Sequence, residues 1–136
     1  MGPDMRFDGW PEILHAEIEA AQDKPFAWGK CDCCLFAADV VKAMTGTDYA
    51  SEFRGKYKTA KGAARALIKY GHKTLSSTMN EKLPPVRFPK RGDVVMALVN
   101  GDEALGICIG SMCVFKSPDG VVQMPVSDID AAWDVT

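Results

Sequence analysis

The stretch PFAWGKCDCCLFAADVVKAMTG, residues 25 to 46, sets Cys31, Cys33 and Cys34 within four positions and then runs into an apolar-periodic segment. Thiols at this density fit four chemistries: a metal knuckle, a redox pair, a catalytic nucleophile, or cysteine used as a small core residue. Structural zinc takes four ligands, usually as two spaced pairs. The second pair would have to be Cys108 and Cys113, whose spacing matches no finger, and His15 and His72 lie far from both groups in sequence. No metal and no cofactor is therefore expected. The redox reading draws on Cys31 and Cys34, a Cys-x-x-Cys pair beside a helix start, where the helix dipole lowers a thiol pKa. Such redox pairs follow a β-strand, whereas this one follows a helix and an aromatic loop. The nucleophile reading rests on Cys33, in the first turn of a helix and on the face that must pack against the rest of the fold. The thiolate is the reactive species, and a helix N-terminus stabilises it. Cys34 is turned about 100° away around the helix and is the poorer candidate. Free cysteines are also among the most buried residue types, so a core role for Cys33 stays open beside the catalytic one.

These residues need elements to position them. At 136 residues and 47% hydrophobic, the chain fits one domain, able to bury about two thirds of its unfolded surface without staples. An odd cysteine count and the lack of an apolar run behind a basic N-terminus point to synthesis in a reducing cytoplasm. The MGPDMR opening carries Arg6 where a myristoylation signal wants Ser or Thr. No apolar run is long enough to span a bilayer. WPEILHAEIEAAQ predicts a helix ending near Asp23, with Trp10, Ile13, Leu14, Ile18 and Ala21 as its stripe. Asp32 predicts the N-cap of a second helix, in which Cys33, Phe36, Ala37, Val40, Val41 and Met44 keep helical spacing up to Gly46. A third helix is predicted from about Thr59 to Tyr70, with Ala60, Ala63, Ala64, Leu67 and Ile68 on one face.

LPPVRFPKRGD, residues 83 to 93, separates this helical half (10–80) from a strand half (92–136). Four strand-like runs follow: DVVMALV, ALGICIG, MCVFKS and GVVQMPV. They are divided by Asn100-Gly101, Gly110-Ser111 and Pro118-Asp119-Gly120, strong hairpin signals. The expectation is a single α+β domain, 1–136, with helices on one side of an antiparallel sheet of about four strands. Trp133 is expected to return to the core and leave the end free. Net charge is only -2, yet from Arg54 to Arg91 eleven Lys and Arg face the single acid Glu81. The plainer reading is a solvated helix face and loop; the sharper one is a surface that docks on an acidic partner. No recognised nucleic-acid motif and few stacking aromatics accompany it, so nucleic acid is not expected.

PFAWGKCDCCLF resembles the nucleophile region of the NlpC-type cell-wall endopeptidases, where an aromatic-Trp-Gly loop leads into Asp-Cys at the start of a helix. RGDVVM is similar to that family's lead into its first core strand, and ALGICIG to its His-Val-Gly-Ile-Tyr-Ile-Gly strand. Trp-Gly-x-x-Asp-Cys, AMTG, Arg-Gly-Asp, Leu-Gly-Ile and the closing Ala-Trp occur here in the order shown by small NlpC-like proteins of bacteriophage tail tips. The resemblance implies a papain-like fold with Cys33 at the nucleophile position. It also implies a virion protein made in a host bacterium's cytoplasm, with other tail-tip or hub proteins as partners and peptidoglycan as the substrate of any hydrolysis. The family's general-base histidine falls at Ala104, which can neither take nor return a proton. His15 and His72 read as exposed polar residues, and only His72 could swing over Cys33. The expected role is thus a tail-tip component with an altered or inactive site, the alternative being an active cysteine peptidase or amidase. Phe53, Tyr57 and the basic band from Arg54 to Lys73 are the expected docking contacts.

Overall fold

Gly9 takes a left-handed conformation (φ 78°) that swings the chain into α1 (Trp10–Asp23), with Pro11 in its first turn. The structure, a computed structural model, describes residues 4–136; the Met1-Gly2 opening read against an acylation signal lies outside them. Helix α2 (Cys33–Thr45) starts where Asp32 accepts from the Leu35 amide and ends at Gly46 in the left-handed region (φ 84°). Both signals were local: an N-cap carboxylate satisfies an orphan amide, and glycine alone enters that backbone region without cost. Helix α3 (Ala60–Tyr70) is capped by the Thr59 hydroxyl. Its packing departs from the expected stripe, since Ala66 is the buried residue and Ile68 is 65% exposed. A fourth helix, α4 (Leu75–Lys82), is present where none is expected. Its segment LSSTMNEK offers only Leu75, Thr78 and Met79 to the core, too few positions for a helical period to show.

Two short strands, β1 (Pro85–Val86) and β6 (Ala131–Trp133), join the four expected ones: β2 (Val94–Val99), β3 (Asp102–Cys108), β4 (Met112–Ser117) and β5 (Gly120–Pro125). The sheet therefore has six strands rather than about four, all antiparallel, in the order β1-β6-β2-β3-β4-β5. Period-two alternation divides its side chains between two clusters. Val94, Met96, Leu105, Ile107, Val114 and Trp133 meet the helices in the larger cluster, around Phe36, Val40 and Met44. Val95, Ala97, Ala104, Cys108, Cys113 and Phe115 form the second cluster on the opposite face. From the α-helices, Cys33 at the head of α2 packs on that face. Val86 from one edge strand and Val122 and Met124 from the other pack on the same cluster, so the sheet curls and closes its own second face.

Buried polar groups lock these layers together. Lys116, on the helix-facing side of β4, is buried, and its ammonium donates to the carbonyls of Ala21 and Lys24 at the end of α1. Helix α1 has no basic residue in its own last turn, so a strand lysine supplies the charge that its carbonyl end favours. Asp93, the Asp of Arg-Gly-Asp, is fully buried and accepts from the amides of Lys90 (2.7 Å) and Val135 (3.1 Å). Burial raises its pKa above the ordinary value. Trp133 reaches the core as expected, its indole N–H donating to Asn80 at 2.9 Å. The chain end is not free, because Val135 is buried and its amide is held by Asp93.

Candidate functional site

A tight loop presents the head of α2. Ala27 and Cys31 exchange backbone hydrogen bonds (3.0 and 2.8 Å), which pinches Trp28, Gly29 and Lys30 into a turn. Gly29 has φ +81°, and a Cβ there would lie 2.0 Å from the Tyr57 carbonyl oxygen, so only glycine permits this backbone approach. Asp32 closes the arrangement. Its buried carboxylate accepts from the Gly29 amide (3.0 Å), the Leu35 amide (2.9 Å) and the Tyr57 hydroxyl (2.6 Å). Burial and the facing carboxylate push the Tyr57 pKa far up, which keeps its hydroxyl a donor. Tyr57 is thus half-buried and tied into the site, and Phe53 is buried, so neither is the exposed docking contact expected from sequence. Arg54 is engaged as well, pairing with Asp39 and Asp48 at 2.8 Å each.

Cys33 opens the first turn of α2 and is half-buried against the second cluster, the one that contains Ala104 and Cys108. Cys34 packs on the larger cluster, and the two sulfurs lie 3.9 Å apart. The close thiol pair is therefore the adjacent Cys33 and Cys34, not the Cys31-x-x-Cys34 pair marked by spacing. Hydrogen bonding from Cys34 lowers the Cys33 pKa against the opposing effects of burial and the Asp32 charge, and the Leu105 backbone helps. The Cys34 pKa moves well up, because it is the donor to Cys33 and is desolvated. Cys33 is the thiol that ionises first. Cys108 and Cys113 face each other across β3 and β4, both fully buried; burial, together with Cys108, pushes Cys113 up to about 12. All five cysteines are free, and among the described residues no three His, Cys, Asp or Glu side chains gather as metal ligands.

Neither histidine joins Cys33. His15 is exposed on α1 against the Arg91 guanidinium, and Arg91 leads into β2 at the Val94–Ile107 end of the sheet, away from Ala104. His72 is exposed in the turn between α3 and α4, its amide and carbonyl held by Thr78 and Ser77. Ala104 is buried opposite Ala97. Cys33, Cys34 and Ala104 all line a cleft of about 330 Å³, and neither His15 nor His72 lines it. The arrangement offers an acidified thiol at a helix N-terminus without an imidazole to carry its proton.

A family model described as a domain of unknown function, DUF6950, matches residues 5–135. The chain belongs to that family. The DUF6950 match takes in both the helical and the strand halves, so the thiol-bearing helix and Ala104 both fall inside it. No curated protein sequence matches the chain. No helix among the described residues is long and apolar enough to cross a membrane.

Proposed function

We propose that the chain is a structural component of a bacteriophage tail tip with an NlpC-like fold, working by docking rather than by hydrolysis. The observation that carries the proposal is Ala104, a buried methyl group where the resemblance expects the general base. A nucleophilic dyad acts as a unit, and losing one member costs several powers of ten in rate. Docking is assigned to the part of the basic band that stays exposed: Tyr70, flanked by the ammonium groups of Lys56 and Lys69, with Lys73 beyond. Acidic surfaces of neighbouring tail proteins complement this patch.

A second reading, an active cysteine peptidase or amidase that opens peptidoglycan peptide cross-links during DNA entry, is favoured by one observation. The lowered pKa of Cys33 at a helix N-terminus is the property that a nucleophile needs. Incubating the protein and a Cys33→Ala variant with purified peptidoglycan separates the two. The docking reading expects no cysteine-dependent muropeptide release; release by the wild type alone overturns it. Electron microscopy of assembled particles, with density for this chain expected at the tail tip, tests the location.

A further inference from the structure

Cys33 and Cys34 lie with their sulfurs 3.9 Å apart, and both line the cleft. Hydrolysis would use the first alone and docking uses neither, so Cys34 has no part in either reading of the site. Cysteines that respond to oxidants are accessible, ionise readily and stand next to a second thiol that resolves them. Cys33 meets the first two conditions: it is half-buried on the cleft, and it is the thiol that ionises first, at the positive end of α2. Cys34 meets the third, touching Cys33 while holding its own proton. The other thiols are placed differently. Cys31 does not line the cleft, and Cys108 and Cys113 are fully buried.

A disulfide brings its sulfurs to about 2.05 Å, with Cα atoms usually about 4.4 to 6.8 Å apart. Neighbouring Cα atoms across a trans peptide stand about 3.8 Å apart, so a bridge between adjacent residues forms under strain and is easily reduced. Strained, accessible disulfides are the labile ones, whereas structural ones resist the glutathione pool. The position favours the adjustment, because the Cys34 N–H falls in the first turn of α2, where amides have no acceptor within the helix. The cleft also selects the oxidant. Asp102 and Glu103 line it, are exposed and have no ion-pair partner among the described residues. Their field disfavours an anionic oxidant and admits a neutral one.

We infer that Cys33 and Cys34 form a reversible vicinal disulfide, with a neutral hydroperoxide as the oxidant. The Cys33 thiolate attacks the distal peroxide oxygen, the O–O bond breaks, and the departing alkoxide or hydroxide takes a proton from solvent. Cys33 is left as a sulfenic acid. The Cys34 sulfur then attacks the Cys33 sulfur: the S–S bond forms, the S–O bond breaks, and hydroxide leaves as water with the Cys34 proton. Two electrons pass from the sulfurs to one peroxide. None of this requires an imidazole or a peptide substrate, so it stands apart from both readings of the site.

Treating the reduced full chain with tert-butyl hydroperoxide, blocking free thiols with iodoacetamide and mapping tryptic peptides tests it. The expected product is a peptide 31–42 lighter by two hydrogens, with Cys31 alkylated, Cys33 and Cys34 protected, and both recovered by glutathione. Cys33→Ser should slow peroxide consumption at least about tenfold, because the thiolate is the attacking species. Cys34→Ala should stop the sequence at the sulfenic acid, read as a dimedone adduct on Cys33 at a pH that ionises Cys33 in both proteins. Cys34→Ser replaces that variant if its circular dichroism spectrum changes, and the wild-type peptide map decides without either. The inference is overturned by absence of a peroxide-dependent bridge, by a bridge that includes Cys31, Cys108 or Cys113 or joins two chains, or by one that glutathione does not reopen. Cys33 carried on to sulfinic acid while Cys34 still reacts with iodoacetamide overturns it as well.

Discussion

Asp32→Asn changes one atom at the point where the loop, the helix and Tyr57 meet, and it has two consequences of opposite kind. The Asn oxygen can still cap α2 through the Leu35 amide, now 2.9 Å from Oδ1. The other carboxylate oxygen accepts from both the Gly29 amide and the Tyr57 hydroxyl, and an amide nitrogen there meets the Gly29 N–H donor to donor. A buried donor left without an acceptor costs about 1 to 3 kcal/mol, and weakening the charge-assisted bond from Tyr57 adds about 1 kcal/mol. The sum, about 2 to 4 kcal/mol, lowers the thermal midpoint by about 6 to 12 °C at roughly 3 °C per kcal/mol. The thiol moves the other way, since the Asp32 charge raises the Cys33 pKa and its removal lets that pKa fall further. Circular dichroism melting measures the first effect. The second is read from the rate of Cys33 alkylation across pH, followed by peptide mass spectrometry. A loosened loop alone would raise the plateau rate without moving the profile, so the expected signature is a midpoint displaced to lower pH. An unchanged melting midpoint, or an alkylation profile displaced upward, refutes the reasoning. Tyr57→Phe supplies the control of opposite sign: it keeps the carboxylate, strips a hydroxyl from it, and should displace the Cys33 profile upward.

Cys34→Ala removes the donor that favours the Cys33 thiolate, so the alkylation midpoint of Cys33 should rise; no displacement would show that the 3.9 Å sulfur contact does not tune it. Lys116→Met keeps the stem's volume but leaves the Ala21 and Lys24 carbonyls without their ammonium donor. It should cost about 2 to 4 kcal/mol, read as a lower urea midpoint, and an unchanged midpoint would remove the cap from the account. The Arg54 hydrogen bond lowers the Asp48 pKa from 3.8, so its stabilisation is complete above that value and is lost as pH falls through the lowered folded value. The melting midpoint should therefore drop more between about pH 5 and about pH 3 in the wild type than in Arg54→Gln, and equal drops would refute the linkage.

How far the sequence carries depends on the range of the interaction that sets each feature. Helix α2 is legible because Asp32, the apolar period and Gly46 are local signals that agree. The hairpin joining β2 and β3 is legible for the same reason, with Asn100 and Gly101 both at positive φ. What escapes is set across distance. Strand β6 has three residues, too few for a period, and exists because Trp133 and Ala132 find partners on β1 and β2. Helix α4 is held by Leu75 and Met79 joining a core assembled elsewhere in the chain. Lys116 reads as an outward charge in MCVFKS until the end of α1, more than ninety residues earlier in sequence, arrives beside it. The site divides in the same way. Its cap is visible in Asp-Cys, but the second carboxylate oxygen, besides the nearby Gly29 amide, holds Tyr57, twenty-five residues on, with no local pattern to mark it. That bond also explains why a glycine stands at position 29. Asp32 can cap the helix and hold Tyr57 at once only if the loop backbone passes close to the Tyr57 carbonyl, and the missing Cβ of Gly29 is what allows it. The loop therefore fixes the position of Cys33 at the head of α2 through Asp32, Gly29 and Tyr57 alone, independently of which residue stands at position 104 in β3.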